Sequence, residues 1–80
     1  MRFVLIQYFD HVEFRSSSRT EELEPLLREV VGWIIKETHE YVIVLSEKAA
    51  TDNTEEISKL KPSGFVILKS DIKNMVEIGR

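Results

Sequence analysis

The residues most able to do chemistry in this chain of 80 residues are an aspartate and a histidine side by side, Asp10 and His11. Such a pair could act as an acid–base dyad in which the carboxylate orients the imidazole. Neighbouring residues on a strand point to opposite faces, so these two side chains cannot converge on one substrate atom. We expect His11 to share a solvated face with Glu13 and Arg15. A small enzyme centred on His11 is therefore the last of three functional hypotheses.

Other kinds of catalytic or cofactor site lack the residues that they need. The second histidine, His39, falls in an expected turn, and the sequence has no cysteine to supply a thiolate ligand. The three glycines are far apart, which excludes a glycine-rich phosphate loop. The sequence thus predicts no catalytic residue, no metal site and no cofactor.

Aromatic residues in apolar segments are candidates for a binding surface. Tryptophan and tyrosine are enriched where partners bind most tightly, which favours Trp33 and Tyr41 as anchors. Val42 and Val44 follow Tyr41 in the sequence and complete the predicted interaction surface. For Trp33 the alternative is a structural place in the core or at a barrel corner.

Four lysines in the second half of the chain are the candidate nucleic-acid contacts: Lys59, Lys61, Lys69 and Lys73. Small barrels bind RNA or DNA through basic loops with stacking aromatics. The formal net charge of −3, with acidic residues among these lysines, argues against phosphate binding. A nucleic-acid-binding barrel is therefore the second hypothesis, and a mixed-charge solvated face is the simpler interpretation.

The elements that position these residues are mostly strands. Residues 3–14 predict a first strand, followed by a connection of about 15 residues. Residues 27–37 and 41–48 predict an antiparallel hairpin, because two β-rich segments flank the three polar residues 38–40. Gly32 lies inside the first hairpin strand, where glycine commonly marks a bulge or a sharp bend.

The last third of the chain predicts two further strands and two short turns. In residues 49–63, Asn53 or Thr54 could cap a helical turn that places Ile57 and Leu60 on one side. Residues 65–69 and 75–78 then predict strands. Between them, Ser70 or Asp71 would start a single helical turn, with Ile72 facing inward.

These elements predict a mainly β protein with a single domain over residues 1–80. The expected architecture is a small, strongly bent, five-stranded antiparallel barrel of the SH3-like or Sm-like kind, with a short helical turn before the last strand. The alternative is an α+β fold with one helix over residues 20–31.

Several strings of the sequence carry a resemblance. VGWIIKE, YVIVLSE and GFVILKSDIKNMVEI, with the opening QYFDHVEF, look like a group of short prokaryotic proteins, some of them phage-associated, whose function is uncharacterised. The resemblance leaves out residues 16–27 and 49–61. It implies the barrel, and because its motifs are structural, it implies no activity or site.

The apolar character of both hairpin strands predicts self-association. Every residue from Tyr41 to Leu45 is apolar or aromatic, and Val30 to Ile35 is likewise apolar apart from Gly32, whereas a sheet with one wet face would alternate. A second copy of the chain could cover the outer face, with a dimer favoured. The alternatives are strong strand bending that places both sets of side chains in one core, and a cover formed by Leu23, Leu26 and Leu27 of the first connection. The first hypothesis is thus a noncatalytic cytoplasmic interaction module that self-associates. An unknown protein partner is a further possibility, and no membrane attachment is expected.

Overall fold

The architecture is one antiparallel sheet with a short helix, in a computed structural model that describes residues 1–10 and 24–79. The strands are β1 (Phe3–Asp10), β2 (Leu26–Glu37), β3 (Tyr41–Leu45), β4 (Gly64–Leu68) and β5 (Ile72–Glu77). Helix α1 (Thr54–Lys59) precedes β4, and a 3-10 turn (Lys69–Asp71) joins β4 to β5. The strand order β4-β3-β2-β1-β5 leaves the sheet open, with β4 and β5 at its edges. The predicted mainly β fold of five antiparallel strands is confirmed.

The hydrophobic core lies against one face of this sheet, called the inner face. Residues opposite each other in a ladder share a face, so the register sorts the side chains. Ile6, for example, lies opposite Val30 on one side and Met75 on the other. The buried cluster consists of Val4, Ile6, Val30, Ile34, Val42, Val44 and Ile67, with Tyr8, Ile72 and Met75 packed against it. All five strands therefore contribute to this core, while the buried Leu45 and Ile57 lie outside it.

The sheet bends strongly around this core. In a flat sheet β1 and β4 would lie about 14 Å apart, because two strands separate them. The end of β1 and the second half of β4 nevertheless line one groove of 210 Å³. Close approach of backbones accompanies the bend, since a Cβ atom on Gly32 would lie 2.3 Å from the carbonyl oxygen of Leu45. A side chain at position 32 would therefore clash with β3, but the bulge in β2 lies three residues later, between Ile34 and Lys36.

The hairpin between β2 and β3 is present as predicted. The Thr38 hydroxyl accepts hydrogen bonds from the backbone N–H groups of Glu40 and Tyr41, both at 3.1 Å, which closes the turn. Because β2 begins at Leu26, the alternative of a helix extending to residue 31 is wrong. Strand β3 ends at Leu45 rather than at residue 48. The predicted continuation of β1 to residue 14 and the conformation of residues 20–23 lie outside the described residues.

Helix α1 and the 3-10 turn correct two details. Asn53 caps α1 as predicted and Ile57 is buried, but Leu60 is 66% exposed, because the helix ends at Lys59. The 3-10 turn begins at Lys69 and has no side-chain cap, so the predicted start at Ser70 or Asp71 is one or two residues too late. Ile72 packs against the core, as predicted.

Candidate interaction surface

Trp33 lies half-buried on the outer face of the sheet, where its neighbours hold it. Its ring and that of Phe3, which is opposite in the ladder, have centroids 4.9 Å apart at an interplanar angle of 49°. The Lys48 ammonium nitrogen lies 5.3 Å from the Trp33 ring centroid, within the range of a cation–π interaction. The tryptophan therefore stabilises the outer face locally and presents only part of its ring to a partner.

Tyr41 shares the outer face with Trp33, but the two predicted valines do not. The Tyr41 ring is half-buried, with the Lys36 ammonium nitrogen 5.6 Å from its centroid. Val42 and Val44 are fully buried in the core. Their assignment to an exposed interaction surface is wrong, because strand alternation turns them to the inner face while Tyr41 points outward.

A row of apolar side chains crosses the outer face and was not predicted. Leu5 lies opposite Val31 in β2 and opposite Val76 in β5, so the three side chains are neighbours across three strands. Val31 is 41% exposed and Val76 is 47% exposed. We call these three residues the outer row. The strand pattern alone could not find it, because the pairing of β1 with β5 is not visible in the sequence.

The edge strand β4 carries the most exposed apolar side chains of the sheet. Val66 is 67% exposed, Leu68 is 51% exposed and Phe65 is 44% exposed, while Ile67 alone is buried. Val66 and Leu68 lie on the outer face opposite Ile43 and Tyr41, and Phe65 lies on the inner face opposite Val44. The signal in the sequence was the uninterrupted apolar segment GFVIL, whose position at an edge only the topology reveals.

The four lysines proposed for nucleic-acid contact do not form one patch. Lys59 and Lys61 precede β4, whereas Lys69 follows it, and this five-residue strand spans about 13 Å. Lys73 lies near the start of β5, four residues after Lys69. Lys69 is also engaged, since its ammonium nitrogen lies 2.9 Å from a Glu37 carboxylate oxygen. Lys59 and Lys61 thus lie at one end of β4, and Lys69 and Lys73 lie beyond its other end.

Glu37 forms ion pairs with residues next to two different strands, β1 and β4. Its carboxylate binds Lys69 and also accepts a hydrogen bond of 2.8 Å from the Arg2 guanidinium. The hydrogen bond from Lys69, with the attraction of Lys69 and Arg2, lowers the pKa of Glu37 below its ordinary value. Arg2 in turn lies 3.6 Å from Glu77 on β5. These groups are exposed enough that they act as a surface ion-pair network.

The acid–base candidates have structural partners or lie outside the described residues. The Asp10 carboxylate accepts a 2.7 Å hydrogen bond from the Arg28 guanidinium across the strands, and His11 is not among the described residues. His39 is exposed in the hairpin turn. Within residues 1–10 and 24–79, no group of three or more histidine, cysteine or acidic side chains could hold a metal ion.

Comparison with known proteins finds no relative of this chain. No family model, no curated protein and no solved structure matches the chain. In the described part of the chain, no helix has the length and the apolar character required to span a membrane.

Proposed function

We propose that this protein is a noncatalytic interaction module that works by association with copies of itself, as a dimer. The observation that supports this function is the exposure of large apolar side chains on the sheet, on the outer row and on β4. Extended apolar patches on a small monomer are uncommon and usually mark contact sites. A symmetric pair is the commonest assembly that covers such a patch.

The two other hypotheses have less support. The separated lysines and the ion pair between Lys69 and Glu37 do not favour a phosphate-binding surface. The engagement of Asp10 with Arg28 does not favour an acid–base dyad. The protein-binding module therefore remains first, with a cytoplasmic location and a further protein partner as parts of the same proposal.

The strand order and the 3-10 turn before the last strand also support the finer description of the fold. We propose that the bent sheet is an open small barrel of the SH3-like or Sm-like kind. Fold alone does not select a function, so this description adds nothing to the choice among hypotheses.

Light scattering after gel filtration tests the proposed function. Between about 0.01 and 1 mM, the range in which small interfaces dissociate, we expect the mass to rise from one chain to two. A mass of one chain throughout this range refutes self-association.

A further inference from the structure

The two edges of the sheet offer very different surfaces to a partner strand. Strand β5 carries Lys73 and Glu77, and its pairing with β1 contains a bulge between Gln7 and Tyr8. Strand β4 has no charged residue and no bulge in its pairing with β3. Charges and bulges are the features by which natural sheets prevent edge-to-edge pairing. The β4 edge lacks both.

The hydrogen bonding of β4 determines which backbone groups point away from the sheet. The N–H of Ser46 bonds to the carbonyl of Ser63, and the N–H of Lys69 bonds to the carbonyl of Glu40. Because hydrogen-bonded and non-hydrogen-bonded pairs alternate in an antiparallel ladder, Phe65 and Ile67 also bond to β3. The N–H and C=O groups of Gly64, Val66 and Leu68 therefore point away from β3. No described strand pairs with this side of β4, although Val66 and Leu68 line a groove together with the end of β1.

A second copy of the same strand complements this edge. An antiparallel alignment about a two-fold axis at Val66 places Val66 opposite its own counterpart and Gly64 opposite Leu68. All three outward-pointing residues then fall in hydrogen-bonded pairs, which gives up to about six backbone hydrogen bonds. The small Gly64 leaves room for the large Leu68 beside it.

From this complementarity we propose that two copies of the chain pair through their β4 edges, antiparallel and centred on Val66, into one continuous ten-stranded sheet. The inference rests on the proposed self-association and names the surface that carries it. Pairing of β4 with β5 of another copy is disfavoured, because β5 brings Lys73, Glu77 and the bulge to the contact. A two-fold contact between identical edges also closes the assembly at two chains. Because a five-residue edge falls below the lower limit of a standard interface area, about 1,200 Å², we expect the dimer to dissociate within the concentration range given above.

The decisive variant is Val66→Pro, measured by light scattering across the concentration range given above. Proline removes the outward N–H of Val66 and no bond to β3, so the fold should persist while pairing is blocked. We expect a mass of one chain for Val66→Pro and of two chains for Val66→Thr, which keeps the N–H and the branched shape. Glu77→Pro is the matched control on the β5 edge, and we expect it to leave the dimer intact.

Hydrogen exchange in the unaltered protein gives a second measurement if Val66→Pro does not fold. We expect the amides of Gly64, Val66 and Leu68 to become protected as the concentration rises, while those of Met75 and Glu77 do not. In a mixed-label sample, the α-protons of Phe65 and Ile67 from different copies should give a cross-peak, because that pair is closely spaced.

The outcomes separate the edge proposal from the proposed function. A dimer that persists in folded Val66→Pro, or in which these three amides stay unprotected, overturns the edge pairing and leaves self-association standing. A dimer lost with Val31→Lys but kept with Val66→Pro assigns the interface to the outer row instead. An assembly larger than two chains that Glu77→Pro dissolves overturns the two-fold pairing in favour of β4–β5 contact. A single-chain mass for the unaltered protein overturns both proposals.

Discussion

The β4 and β5 edges contribute similarly to the core and differ in what they show to solvent. On the inner face, Ile67 of β4 is buried and Met75 of β5 packs against the same cluster. Among its exposed residues, β5 has Lys73 and Glu77 beside the apolar Val76, whereas β4 has no charged residue. Core packing therefore does not explain the composition of β4. The exposed residues of an edge strand are free to be polar, so the apolar β4 edge supports the proposed contact.

The centre and the edge of the sheet should differ in how well they tolerate a larger side chain. A Cβ atom on Gly32 in β2 or on Gly64 in β4 would lie 2.3 Å from a β3 carbonyl oxygen. Strand β2 is held on both sides by β1 and β3, whereas β4 can shift away from β3. We expect Gly32→Val to lower the free energy of unfolding by about 3 kcal/mol and Gly64→Val by about 1 kcal/mol. Urea denaturation at low concentration measures both, and equal losses would contradict the freedom of the β4 edge.

The two faces of β4 should differ in what they contribute to the stability of the monomer. Ile67→Ala removes a buried side chain and should cost about 2 kcal/mol, at the lower end for such changes because the site is close to solvent. Val66→Ala, on the exposed face, should change the stability of the monomer by less than about 0.5 kcal/mol. Thermal or chemical denaturation of dilute protein tests this difference. A large loss from Val66→Ala under those conditions would show that the monomer needs this side chain, and the argument for a contact would fail.

The smallest effect is expected at Glu37, which forms ion pairs with Lys69, next to β4, and with Arg2, next to β1. In the folded protein the pKa of Glu37 is lowered, and the hydrogen bond from Lys69 is the largest cause. The carboxylate therefore stabilises the fold at pH values above its ordinary pKa of 4.5. That contribution is lost as the pH falls through the lowered folded-state pKa. Glu37→Gln should reduce stability at pH 7 by less than about 0.5 kcal/mol, the range of exposed ion pairs, and leave it unchanged at pH 2. Denaturation curves at the two pH values check the sign, and a larger loss in acid would be incompatible with it.

The sequence was informative wherever local chemistry decides the structure. The hairpin around Thr38, the Asn53 cap and the close approach at Gly32 all follow from residue type and spacing. Which face each side chain occupies could not be predicted where strands are apolar on both sides, so Val42 and Val44 were assigned to the wrong face.

The candidate surface depended still more on long-range pairing. The outer row exists because β1 pairs with both β2 and β5, and β4 is an edge because β5 returns to β1 rather than to β4. Neither fact follows from local periodicity. The apolar segments were therefore visible in the sequence, but their exposure was not.

The sheet order also bears on how the chain reaches its native state. Strands β2, β3 and β4 are consecutive neighbours, whereas the ladder of β1 with β5 joins Val4 to Glu77 across nearly the whole chain. Closing so large a loop costs more chain entropy, and topologies dominated by such pairings fold slowly. We expect the β2–β3–β4 meander to gain structure before β5 docks. The apolar strand β4 is then accessible to other molecules throughout folding. The yield of refolding should consequently fall as the protein concentration rises.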